Sequence, residues 1–309
     1  LNPLIGIGLK IISTFAFLAM STLVKLASAD MPIGELMFFR AFFALVPLGL
    51  WLWWTDELRS AVKTTRLSGH LVRSISGSGG MYFGFASLAL LPLPDATAIG
   101  YLAPLVATVL ASFLLKEDVK PYRWFAVAVG FLGTLVMVAP HMAQRDVSAF
   151  LTAGPALGAL AGMTASACNG FSSIQIRKLA QLERTGTIVF YFLLVTSTIG
   201  LFLSLFAWRQ PTPHEALLLI CSGFLGGIGQ ILITSSYRFA DASVIVSFEY
   251  TSLVWAVAIG FFLFGDIPHP AVFAGAAIVI ASGLYVVYRE RRMSQARHAA
   301  EHPLPETLI

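Results

Sequence analysis

Charge is scarce in this sequence: Asp, Glu, Lys and Arg make up only 12% of its 309 residues, against 57% apolar residues and a mean hydropathy of +0.80. So small a charged fraction excludes a water-soluble globular domain and places the chain in a bilayer. Cysteine is nearly absent. Cys168 and Cys221 lie in different apolar segments with no CxxC or Cys/His spacing, which argues against a disulfide framework and against a metal site. The six histidines (His70, His141, His214, His269, His298, His302) fall at segment edges, in loops or near the C-terminus. No nucleophile and base constellation therefore sits at depth, and an intramembrane enzyme is not expected. There is no Walker motif, so ATP is not expected to be the direct energy source, and no cofactor is expected. The net charge is +4, but Lys and Arg come in short runs between apolar segments rather than on one basic face, which argues against nucleic acid as a partner. Also missing are the segments of about ten alternating residues that a membrane β-barrel needs.

What the chain has in abundance is long apolar runs. Residues 74–94, 96–115, 124–144, 185–208, 216–237 and 267–288 contain no Asp, Glu, Lys or Arg. Each reaches the roughly 20 residues a membrane helix requires. The uncharged run 147–176 supplies another span from near Thr152, and three more (3–28, 33–54 and 242–265) carry isolated charges. The expected fold is an all-α membrane protein with ten transmembrane helices. Lys10, an apolar core and Ala27-Ser28-Ala29 imitate a signal peptide, yet the core is longer than a usual signal core and the first residues lack Lys or Arg. The first span is therefore expected to stay.

Orientation follows from the basic residues. With the N-terminus inside, fourteen fall in inside segments (Arg59, Lys63, Arg66, Lys116, Lys120, Arg123, Arg177, Lys178, Arg184, Arg238, Arg289, Arg291, Arg292 and Arg297) and two, Arg145 and Arg209, outside. Positive residues favour the cytoplasmic side, so both termini are expected there.

The chain also repeats itself. The stretch 77–104 aligns with 223–250, setting Asp95-Ala96-Thr97 against Asp241-Ala242-Ser243, Gly77 against Gly223 and Gly80 against Gly226. Val24-Lys25-Leu26-Ala27 has a counterpart in Arg177-Lys178-Leu179-Ala180, and the acidic turns Glu117 and Asp266 also correspond. Two five-helix units in one chain must face opposite ways across the bilayer, which defines an inverted repeat. The expected units are 1–140 and 150–288, followed by a polar, disordered cytoplasmic tail at 289–309. The alignment fails at one place, where Ala103-Pro104 in the first copy faces Glu249-Tyr250 in the second.

Phe38-Phe39-Arg40-Ala41, Pro94-Asp95-Ala96-Thr97-Ala98 and Leu114-Leu115-Lys116-Glu117 resemble motifs of the drug/metabolite transporter superfamily, specifically its EamA-type permeases. The likeness covers nearly the whole chain except the tail. It implies a ten-helix basket with cytoplasmic termini, and similar permeases handle amino acids, S-adenosylmethionine, riboflavin and assorted drugs.

An ionisable group inside a span is costly unless paired or hydrated, which makes it a functional candidate. Lys10, Lys25 and Arg73 lie near enough to span ends to snorkel. Glu35 is about one turn inside the outer face, and Asp95 and Asp241 stand where helix N-caps are expected. Arg40 and Glu249 go deeper, about 10 Å from the outer surface and about 12 Å from the inner one. Together they leave about 8 Å between them, a gap that a solute or a water chain can bridge. They either pair with each other to fix packing, or meet the carboxylate and ammonium of a zwitterion, with Glu249 also a candidate to take up a proton. Tyr82, Tyr101, Tyr250 and Trp255 are candidates to line a cavity, as are Asn169 and Gln230, which lie mid-span among small residues.

These features together lead to the expectation of a secondary transporter that moves a small amphipathic metabolite across a bacterial inner membrane by alternating access. A channel or receptor-like protein on the same fold is the alternative. The partners expected are the bilayer, a small solute and protons; transport direction and oligomeric state stay open.

Overall fold

The computed structural model describes residues 3–27, 31–114, 121–143, 154–205, 207–239, 245, 248, 252, 255, 258–265 and 270–301. Among these residues every regular element is helical. In chain order they are α1 (Pro3–Ala27), α2 (Ile33–Trp54), α3 (Leu58–Ala61), α4 (Leu67–Leu90), α5 (Leu93–Gly100), α6 (Leu102–Leu114) and α7 (Pro121–Ala143). Then follow α8 (Gly154–Ala180), α9 (Thr185–Ser204), α10 (Pro213–Phe239), a π-helical turn (Gly260–Phe264) and α11 (Pro270–Glu301).

Four helices, α1, α2, α9 and α10, are each long and apolar enough to cross a membrane. α2 illustrates why. Met37, Ala41, Ala44, Leu48 and Leu52 recur at helical spacing and are buried, while Phe42, Leu50, Trp53 and Trp54 point outward, Trp54 at 87% exposure. A helix apolar on every face belongs in lipid, and tryptophans at its end suit the headgroup level.

Two elements differ from the sequence expectation. The run 96–115, read as one span, breaks at Tyr101 into α5 and α6. Pro104 explains the break: it has no N–H for the Gly100 carbonyl four residues earlier, and its ring clashes with that carbonyl. Second, α11 continues through Glu301 into the segment read as an unstructured tail. Residues 289–301 contain neither Gly nor Pro and are rich in Arg, Glu, Gln and Ala, all good helix formers. Asp95 also differs, lying in the first turn of α5 rather than capping it, where a carboxylate faces the positive helix end. Half of the ninth expected span, including Glu249, falls outside the described residues.

α1 lies along α10 and α4 along α8. α2 packs on both α9 and α10, α9 also reaches α4, α6 lies on α8, and α7 pairs with α11. Hydroxyls tie these contacts: Ser13 Oγ donates to the Gly229 carbonyl at 3.0 Å, Ser78 and Thr196 share a bond of 2.8 Å, and Ser166 Oγ donates to the Ile99 carbonyl at 3.0 Å. Each such bond contributes about 0.6 kcal/mol in a membrane bundle.

Polar clusters close both ends. At one, Thr212 and Glu215 cap α10 reciprocally, the Thr212 N–H donating to Glu215 Oε2 at 2.7 Å. Arg209 reaches the same carboxylate at 3.2 Å, and its backbone N–H donates to Glu35, which is fully buried. At the other end Thr64 donates to Glu183 at 2.7 Å, Arg238 donates to the Glu183 carbonyl at 2.6 Å, and Arg184 pairs with Glu57 at 3.1 Å. His70 is buried there, stacked on Tyr191 and 3.8 Å from Glu183.

Candidate functional site

The helices enclose a cavity of about 380 Å³. Its volume lies within the range of small-molecule sites. Arg40, Tyr101, Asn169 and Gln230 line it, and so does Arg73.

Arg40 sits seven residues into α2 and is 2% exposed. Its neighbours are thioethers: Met20 Sδ lies 3.3 Å from Nε and Met81 Sδ 3.9 Å from Nη1. Sulfur is a weak acceptor, so these contacts leave most of the guanidinium's bonding capacity unused. Room for Nε comes from Gly226 on α10, where an added Cβ would lie 2.7 Å from it. The equivalent glycine of the first copy, Gly80 on α4, does the same for Asn169, whose Cγ would lie 2.7 Å from an added Cβ. Both copies of the duplicated glycine thus seat a polar side chain that borders the cavity.

Arg73 is the residue that the sequence reading misplaced. Far from snorkelling at a span end, it is 3% exposed, and its guanidinium lies 3.7 Å from the centroid of Phe192. Its Nε and Nη1 are buried with no hydrogen-bond partner among the described residues. Arg40 approaches the same ring at 6.0 Å, and the two positive charges are close enough to oppose each other. A guanidinium does not shed its proton to escape burial. A desolvated cation–π contact returns about 2 kcal/mol, less than the several kcal/mol that burying the ion costs. Among the described residues neither arginine meets a carboxylate, and the Arg73 Nε and Nη1 stay unpartnered.

Tyr101 occupies the break between α5 and α6, with its hydroxyl 3.0 Å from Ser252 Oγ. Gln230 is buried and donates to Thr234 Oγ1 at 3.5 Å. Two of the anticipated residues lie elsewhere. Tyr82 packs half-buried against a core cluster that includes Leu18, Phe85 and Leu88, and Trp255 is exposed and edge-on to Phe15. Glu249 and Tyr250 lie outside the described residues. Lys10, expected to snorkel, is 1% exposed, and Lys25 donates to the Leu91 carbonyl at 2.6 Å, capping the last turn of α4.

Outward-facing apolar helices around a charged, solute-sized cavity define a multi-pass membrane protein that handles small molecules. The chain belongs to the EamA-like transporter family, whose model matches residues 4–139 and again 156–288. It is therefore a member of the drug/metabolite transporter superfamily. It is 25% identical over 304 residues to an S-adenosylmethionine uptake transporter of Rickettsia felis, covering 96% of this chain and 97% of that one. A pseudopaline exporter of Pseudomonas aeruginosa is 25% identical over 278 residues, 90% of this chain and 94% of its own. A solved crystal structure with 18% identity matches with a TM-score of 0.68, over 93% of this chain and 98% of the other, which speaks to the fold alone.

Proposed function

We propose that the chain is a secondary transporter that carries a small amphipathic metabolite through the central cavity by alternating access across a bacterial inner membrane, with both termini cytoplasmic. The observation that carries this is the cavity itself, bordered by elements of both family-matched segments.

The pattern of helix contacts supports two inverted five-helix halves. By the sequence duplication, α1 corresponds to α8, α2 to α9, α4 to α10 and α7 to α11. The contact of α1 with α10 is then the same contact as that of α8 with α4, and the contact of α2 with α10 is the same as that of α9 with α4. Two further large contacts, α2 with α9 and α7 with α11, join an element to its own counterpart, and the contact of α6 with α8 would find its equivalent between the ninth span and α1. A two-fold relation between halves requires this arrangement, and exchanging the conformations of such halves converts an outward-facing state to an inward-facing one.

Arg40, Tyr101, Asn169 and Gln230 are assigned to solute binding. Glu249, at the point where the duplication fails, is assigned to coupling or solute recognition, with Tyr250 beside it. Relatives named for uptake and for export agree with a carrier that runs whichever way the gradients favour.

The test is a thermal-shift screen of the purified protein against amino acids, flavins, nucleosides and S-adenosylmethionine, followed by counterflow of each hit in proteoliposomes. A carrier gives saturable, trans-stimulated exchange, and Glu249→Gln abolishes pH-driven accumulation in a protein that still folds. Currents far above carrier turnover would establish a channel instead. Intact driven transport and binding in Glu249→Gln would remove the carboxylate from the site.

A further inference from the structure

Two buried guanidiniums share one aromatic ring at the edge of the cavity, and this pairing carries an inference about the solute. Arg73 stands 3.7 Å from the Phe192 centroid and Arg40 stands 6.0 Å from it. Both are at least nine-tenths buried and both border the cavity. Folding supplies neither with a carboxylate among the described residues. Of the buried acidic groups inside helices, Glu35 accepts the Arg209 backbone N–H through Oε1, and Asp95 stands in the first turn of α5. A single further carboxylate, such as Glu249 would bring, balances only one of the two charges.

The local sequence is built to hold Arg73 in this costly place. Gly77, one turn along α4, has no Cβ, and an added one would run into the Arg73 guanidinium and lie 2.8 Å from the Phe192 ring. Ser172 on α8 and Ser76 on α4 both donate to the Arg73 backbone carbonyl, at 3.4 and 3.0 Å. These contacts fix the backbone and leave the guanidinium without acceptors. The Arg73 guanidinium, 3.7 Å from the ring centroid, keeps Nε and Nη1 without partners among the described residues, and a guanidinium fork takes a carboxylate in a bidentate pair.

We infer that Arg73 and Arg40 together form an anion-binding pair, so that the transported solute carries at least one carboxylate, held at the guanidiniums with its carbon body toward Phe17, Phe85 and Tyr101. The inference rests on the transporter reading for the word transported, but the binding chemistry is testable apart from it.

The probe is malonate, the charged end of such a solute without its body, compared with neutral malonamide and with phosphate at ionic strength held constant with chloride. Thermal melts are taken on the full chain in detergent. Malonate at ten times its Kd is expected to raise Tm by about 2–4 °C. Malonamide is expected to do nothing. Arg73→Met and Arg40→Met should each lose most of the shift, and both should stay folded, because methionine packs on Phe192 and its neighbours without an unpaired charge. Arg73→Lys keeps the charge but not the fork and should retain part of it.

Absence of a malonate shift, equal shifts with malonamide, or an unchanged shift in both methionine variants would overturn the assignment. Phosphate acting where malonate does not would overturn the carboxylate class. The two readings fail separately: counterflow of a cationic solute with no anion effect sinks this one alone, and an intact malonate response in a protein that exchanges no solute sinks the transporter.

Discussion

At the residue scale, what organises the site is the missing side chain of a glycine. Gly226 makes room for Arg40 and Gly80 for Asn169, and in both cases the displaced neighbour would be the tip of a flexible polar side chain. Gly226→Ala and Gly80→Ala are therefore expected to fold and to bind poorly, with solute affinity down by about tenfold, which corresponds to ~1.4 kcal/mol. Size-exclusion profiles alongside a thermal-shift titration check both halves of that statement. Arg40 was legible in the sequence because counting residues from the start of its span gives its depth. Arg73 was not, although α4 begins at Leu67 and places it six residues in, about 9 Å, almost as deep as Arg40. The reason is that the charge-free run begins at Ser74, so Arg73 was read as the edge of its own span. A span bounded by its charges cannot contain them. Lys10, seven residues into α1, was counted within its span and still read as near enough to the end to snorkel.

At the scale of elements, other glycines face backbone rather than side-chain tips, and these decide how closely helices pack. A Cβ on Gly200 of α9 would lie 2.6 Å from the backbone N of Phe38 in α2, and one on Gly227 of α10 would lie 2.8 Å from the Ala44 carbonyl oxygen. Backbone cannot rotate aside, so the helices themselves must separate. Gly200→Ala and Gly227→Ala should each destabilise by about 1–3 kcal/mol and lower the folded yield, measured by Tm and monodispersity in detergent. Gly49→Ala, with nothing within 4 Å of the added carbon, is the control and should be neutral. Most element positions follow from charge-free runs, because lipid demands an unbroken helix of known length. The break at Tyr101 depends on a single proline, and the continuation of α11 depends on helix propensity, which hydropathy does not register.

At the scale of the whole molecule, orientation is read from where the basic residues fall. The fourteen inside and two outside basic residues predict that reporter fusions in the loop near Arg59 and Lys63 report the cytoplasm, while fusions near Arg209 report the periplasm. The reverse result would overturn the orientation and the assignment of the Glu35, Arg209 and Glu215 cluster to the outer end. The ion pair of Arg184 with Glu57 lies on the side then expected to be cytoplasmic, but Arg184 is 59% exposed, so the pair contributes at most about 1 kcal/mol. What duplication could not reveal is the solute, since the cavity's character comes from residues such as Arg73 and Phe192 that lie apart from the motifs carrying the family likeness.

The thioethers around Arg40 make the site vulnerable to oxygen chemistry. Met20 and Met81 present sulfurs 3.3 and 3.9 Å from the guanidinium, and Met20 borders the cavity through which a small peroxide can enter. Oxidation would replace these weak acceptors with sulfoxide oxygens, strong ones already in place, and the guanidinium would be claimed from within. Brief peroxide treatment is expected to add one oxygen at Met20 or Met81, seen by peptide mass spectrometry, with the malonate response falling in proportion. Methionine sulfoxide reductases should restore it, and a Met20→Leu, Met81→Leu protein should keep its response through the same treatment. Oxidative damage would then silence this transporter reversibly, by giving its cation an internal ligand, while the helices stay where they are.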